Sequence, residues 1–200
     1  MTTTAPPRLG RFLTACHATV GASADRLVRW QRNAVGALVS ATVVLILLNV
    51  VTRALSVALF WVDELAVYTM IWAFMLGAAA TVRTRQGIAI TLARDYLSPR
   101  ARAWLAVTGD TIVALFSLSL LAFNWLWFDP LLLVAVDFEI PAFVRASFNF
   151  IYREQTSTLG IAKWWVWLIM PLMAGLMSWH AFANWLDSFQ DLVSRDEQPT

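Results

Sequence analysis

Four stretches of this chain are apolar for about as long as a bilayer is thick. They cover 34–59, 63–82, 103–128 and 163–185, the first containing "VVLILLNVV" and the second "YTMIWAFMLGAAATV". A spanning helix needs about 20 mainly apolar residues, and each stretch provides them. The pattern predicts an all-α integral membrane protein with four transmembrane helices occupying 34–186. Two weaker patterns lie outside the spans. In the segment 1–33, Leu9, Phe12, Leu13, Cys16 and Val20 recur on one helical face, which predicts an amphipathic helix on the membrane surface. In the segment 129–162, Phe143, Val144, Phe148, Ile151 and Tyr152 share a face against Arg145, Asn149 and Arg153. Pro141 suits the first turn of a short helix there. That helix is read as interfacial, with a docking surface for an outer protein as the alternative.

Composition strengthens the membrane reading. The chain of 200 residues is 59% hydrophobic and 14% charged, against roughly 45–50% and about 25% in soluble domains. A net charge of +2 is too small to suggest nucleic-acid binding. One cysteine, Cys16, excludes an internal disulfide. Ala22-Ser23-Ala24 imitates a signal-cleavage site, but "RFLTACHATVG" before it is too weakly apolar for an h-region. The segment 1–33 is therefore expected to stay as a cytoplasmic lead-in.

Arginine placement sets the expected orientation. Arg8, Arg11, Arg26, Arg29 and Arg32 share one side with Arg83, Arg85, Arg94, Arg100 and Arg102, while Arg53, Arg145, Arg153 and Lys163 fall on the other. Positive side chains concentrate in the cytoplasm, so both termini are expected inside. The tail 187–200 is then a cytoplasmic acidic segment, and 129–162 is periplasmic. "WVDEL" sits at the outer face, with Trp61 as an interfacial anchor and Asp63 as a helix-start acid favoured by the helix dipole.

Several residues inside or beside the spans invite a chemical reading. Arg53 precedes the end of the first apolar run, where an arginine is costly without a partner. The tight turn after span one makes Glu64 a plausible ion-pair partner, within the chain or across to another subunit. Ala73, Gly77 and Thr81 form a small-residue stripe that permits close helix approach. Asp110 lies two turns into span three with no second titratable group expected at its depth, so a packing or hydrogen-bonding role is favoured over ion handling. Pro171 is expected to kink span four. His17 and His180 lie at opposite ends of the chain, which disfavours a pair of haem ligands. No metal spacing, Walker sequence or nucleophile elbow occurs, so neither a catalytic site nor a metal or cofactor is expected.

In order and spacing these pieces resemble the small membrane subunit, the Q-type component, of tripartite ATP-independent periplasmic (TRAP) transporters. The resemblance runs from "NVVTR" through "WVDELAVYTMIWAFMLGAAATVR" and "IAITL" to "TSTLGIAKWWVWLIMPLMAGLM". It puts Trp61, Glu64, Gly77 and Arg83 at motif positions. Gly87 stands where the family often has a histidine. The turn after Arg53 lacks the family's aromatic residues, and the outer segment between spans three and four is longer than in compact members. The resemblance implies a bacterial inner-membrane scaffold without enzymatic activity. Its partners would be a large permease subunit, which binds the sodium, and a periplasmic substrate-binding protein delivering organic acids. The alternative class is the membrane anchor of a respiratory oxidoreductase.

Overall fold

A computed structural model describes residues 8–85 and 97–196, with side chains over 17–85 and 97–194. The described residues form helices α1 (Arg8–Ala54), α2 (Phe60–Thr84), α3 (Pro99–Phe128), α4 (Pro130–Ala135), α5 (Ile140–Ser147), α6 (Trp164–Trp167) and α7 (Ile169–Asp196). Four segments are long and apolar enough to cross a membrane: His17–Ala54, Phe60–Thr84, Pro99–Ala135 and Trp164–Ser194. The protein is thus all-α and multi-pass. Helices α1 and α2 pack as one pair, α3 and α7 as another, and α2 meets α7 to join them. One end of the assembly holds the 55–59 turn and the 129–163 segment (the loop end). The other holds Asp25 of α1, the end of α2 at Thr84 and Asp187 of α7 (the terminal end).

α1 differs from expectation in its length. The lead-in and the first span are a single helix of 47 residues, about 70 Å long at 1.5 Å per residue. No break separates a surface helix from the span. Ala24, Val28, Gln31 and Thr42 are buried along one side, with Val35 and Leu38 packed between them. These positions recur at steps of four and three, so one seam holds both the lead-in and the span. The expected surface face of Leu9, Phe12, Leu13 and Cys16 lies outside the described side chains, as do Gly87, "IAITL" at 88–92, Arg94 and Glu197.

α2 buries Val62, Ala66, Ala73, Leu76, Ala79 and Ala80. Its small side chains let α1 approach, and Thr42 and Thr69 share a hydroxyl hydrogen bond of 3.0 Å between the two helices. Leu76 and Ala79 join Ile169 and Leu176 of α7 in the core, surrounded by Trp72, Met75, Met170, Met173 and Met177. Fully burying such side chains stabilises by roughly 1.5–3 kcal/mol each in water, and in a membrane the gain comes from close packing instead.

Pro171 acts earlier than a mid-span kink. It has no N–H to give to the Trp167 carbonyl, and the fourth span divides there into α6 and α7, with Leu168 as the joint. The Trp72 indole N–H donates to the Val166 carbonyl at 2.9 Å, tying α2 to this joint.

At the loop end, Asp129 (φ 39°) closes α3 and caps α4 by accepting the Leu132 N–H at 3.2 Å. α5 starts with Pro141 in its first turn and stops at Phe148, which adopts the left-handed conformation (φ 53°). The expected single face is therefore broken. Phe143 is fully buried with Phe128 and Ile151, whereas Phe148 is 82% exposed. Tyr152 lies among Phe128, Phe143 and Trp164 in edge-on aromatic contacts. Its hydroxyl donates to the Phe128 carbonyl at 2.7 Å, and burial raises its pKa, followed by the Asp129 charge.

Candidate functional site

The chemistry-bearing side chains gather into two polar clusters, one at each end of the helices. At the loop end, α2 starts at Phe60 and offers Asp63 and Glu64 in consecutive positions. Consecutive helical residues diverge by about 100°, so the two acids serve different partners. Asp63 turns to α1: Arg53 Nη2 donates to its Oδ2 at 2.8 Å, and the Asn49 amide donates to Oδ1. Arg53 Nε also donates to Asn49 Oδ1 at 2.8 Å. The expected Arg53–Glu64 pair is thereby replaced by Arg53–Asp63, because only Asp63 faces the last turn of α1.

Glu64 instead holds a loop. Its Oε1 accepts from the Ser157 N–H and the Tyr68 hydroxyl, both at 2.8 Å. Its Oε2 accepts from the Thr158 N–H at 2.7 Å, the Thr158 hydroxyl at 2.5 Å and the Leu159 N–H at 3.1 Å. Consecutive backbone N–H groups converging on one carboxylate make an anion nest. The loop that supplies them is a small hairpin, closed by an antiparallel bridge between Gln155 and Ala162 and by the Thr156 N–H donating to Ile161 O at 2.8 Å. Gly160 takes φ +67° at its tip, a conformation that a side chain would strain. Trp61, beside this cluster, is partly exposed.

The terminal end is denser. Arg83, in the last turn of α2, has only 13% of its side chain exposed. Its Nε donates to Asp25 of α1 at 2.8 Å, and its Nη1 donates to Asp187 at 2.6 Å and Asn184 at 2.8 Å, both on α7. One guanidinium thus fastens three helices. The His17 ring N–H donates to the other Asp187 oxygen at 2.7 Å. Arg85, also left-handed (φ 48°), donates to Asp110 at 2.8 Å, Ser188 at 2.9 Å and the Asn184 carbonyl at 2.6 Å. Asp110 is therefore not isolated: it also accepts the Ser188 hydroxyl at 2.5 Å. The cluster borders a cleft of about 490 Å³ lined by Asp25, Val28, Arg83, Thr84, Arg85, Asn184 and Asp187. Deeper in, His180 donates from Nε2 to Gln31 Oε1 at 2.7 Å, and the Gln31 amide donates toward Leu76 O at 3.4 Å.

The small-residue stripe is divided. Ala73 is buried, and a Cβ placed on Gly77 would meet Val35 of α1 at 4.0 Å. Thr81 is exposed and bonds back to Ala78 O at 2.7 Å.

Sequence reasoning missed Asn49, Tyr68, His17, Asp25, Asp187, Asn184 and Thr158 as site residues. Asn49 and Tyr68 carried a local signal, since each stands four residues from its partner, Arg53 and Glu64 respectively. Asp25, Asn184, Asp187 and Thr158 meet Arg83 or Glu64 from 58 or more positions away, and His17 meets Asp187 across 170.

The fold and its two clusters define a class: a small multi-pass membrane protein whose helices are pinned at both ends by polar side chains. A family model, "Tripartite ATP-independent periplasmic transporters, DctQ component", matches residues 42–191. The chain belongs to that family, the small membrane subunit of TRAP transporters. The family is a transporter component and not an enzyme family, and it does not support the respiratory-anchor alternative. No curated protein and no solved structure matches the chain.

Proposed function

We propose that this chain is the scaffold of its transporter in the bacterial inner membrane, with both termini in the cytoplasm. It packs against the large subunit, which carries sodium and an organic acid, and its loop end helps receive the periplasmic binding protein. One observation carries this reading. Between Arg32 and Arg53, Glu64 and Arg83, Asp110 and Asp129, and Lys163 and His180, the sequence has no Asp, Glu, Lys, Arg or His. Intramembrane ionisable groups mark ion and substrate paths, and the middle depth of every span lacks them. Charge is instead spent on fastening the ends, as a rigid support requires.

The hairpin held by Glu64 supports the docking part of the proposal. It fixes the 154–163 segment to α2 and leaves Phe148 and Phe138 exposed on the neighbouring surface. Co-expression with the large subunit tests the reading. Purification through a tag on this chain is expected to retain the large subunit in fixed proportion. Glu64→Gln is expected to preserve that proportion while weakening capture of the binding protein. A chain that purifies without the large subunit, yet is folded, contradicts the scaffold role.

A further inference from the structure

We propose that Arg26, Arg29 and Arg32 of α1 form a binding surface for anionic phospholipid headgroups at the terminal end. All three arginines are exposed. Among the described residues none of them has an ion-pair partner, and the acids bonded at this end are engaged elsewhere. Asp25 is held by Arg83, Asp187 by Arg83 and His17, and Asp110 by Arg85. Uncompensated positive charge therefore faces outward on one helix.

The helix places that charge at headgroup depth. α1 runs without a break from the lead-in into the span, and the apolar stretch begins at Ala34. At 1.5 Å per residue, the three Cα atoms stand roughly 3, 8 and 12 Å beyond Ala34. The polar zone on each side of the hydrocarbon is about 5–8 Å thick, and the long side chains reach along it. Trp30, 51% exposed, sits within the same turns, and tryptophan favours this interface. The buried seam of Ala24, Val28 and Gln31, with the Asp25–Arg83 bond, fixes the rotation of α1. The arginines cannot turn inward without breaking that seam.

Guanidinium groups suit the phosphodiester of a lipid because their forked donors match its two free oxygens. The ligand is lipid phosphate in a membrane rather than free phosphate. A headgroup with net negative charge is preferred over a zwitterionic one, whose ammonium would face the arginines.

The test uses the full chain in mixed micelles, with retention of phosphatidylglycerol and of phosphatidylcholine of matched acyl chains measured by native mass spectrometry. The wild-type protein is expected to retain phosphatidylglycerol preferentially. Arg26→Gln, Arg29→Gln and Arg32→Gln together are expected to lower that preference by on the order of five-fold per arginine at low salt, leaving phosphatidylcholine unchanged. The triple lysine variant keeps the charge without the guanidinium fork, so it should retain part of the preference that the glutamine variant loses. Equal retention of both lipids by the wild type, or unchanged preference in a folded glutamine variant, overturns the proposal. So does displacement of the lipid by inorganic phosphate at constant ionic strength, which would indicate a free-anion site.

Discussion

Replacing Arg83 by methionine removes the guanidinium that fastens α1, α2 and α7 together at the terminal end. Breaking a fully buried ion pair costs about 3–5 kcal/mol, whereas exposed pairs contribute about 0–1 kcal/mol. Arg83 is largely buried, but Asp25 and Asp187 keep 54% and 35% of their side chains exposed. Water can rehydrate both acids after the change, and Asp187 keeps its His17 bond, so the expected loss falls between those limits, at about 2–3 kcal/mol. For a domain of this size that corresponds to a fall in melting temperature of roughly 5–10 °C. Tryptophan fluorescence during thermal unfolding in nanodiscs reads it directly. A double-mutant cycle with Asp187→Asn isolates the pair, and the two changes together are expected to cost less than their sum by about 1–2 kcal/mol. Additive losses, or a melting temperature lowered by less than about 2 °C, would refute the reasoning that Arg83 is the fastening.

Other expectations follow from the same geometry. Glu64→Gln keeps one acceptor oxygen but turns an amide NH₂ toward a nest of N–H donors, so hydrogen exchange at Ser157, Thr158 and Leu159 should accelerate while α1 and α7 stay protected. Phe143→Ala empties the site around a fully buried ring and is expected to destabilise the 129–152 segment by about 3–5 kcal/mol, seen as faster limited proteolysis there. Trp72→Phe loses its bond to the Val166 carbonyl, for a cost of about 1 kcal/mol, seen as earlier exchange at the α6–α7 joint. Tyr152 holds its proton in the folded state at a pH where the unfolded chain, with a phenol pKa of about 10, has lost it. Its contribution to stability is therefore complete below that pH and declines above it. Tyr152→Phe should flatten this alkaline decline at the expense of one hydrogen bond.

The four spans were legible because hydrophobic length is a property of contiguous residues. The break before Pro171 was legible in kind, though its position depended on which carbonyl loses a donor. Register between helices was not legible. Arg53 had two adjacent candidate acids, and only the packed rotation of α2 turns Asp63 toward α1 and Glu64 away from it. The partners of Glu64 are mostly backbone N–H groups of Ser157, Thr158 and Leu159, which carry no side-chain signature. "TSTLG" resembled a family stretch without revealing that it folds back on "WVDEL". At the terminal end, Asp187 read as one acid of the tail 187–200, and Asp25 had no reading of its own. They became structural when α1 proved continuous and α7 long enough to bring both beside Arg83.

Sodium-driven uptake of an organic acid by proteoliposomes tests the scaffold claim most directly. Vesicles would hold the large subunit and this chain together or either one alone, with the binding protein supplied outside. Uptake is expected only when both membrane subunits are present, and none from this chain alone. Uptake by this chain without the large subunit, or full uptake by the large subunit without this chain, would contradict the claim.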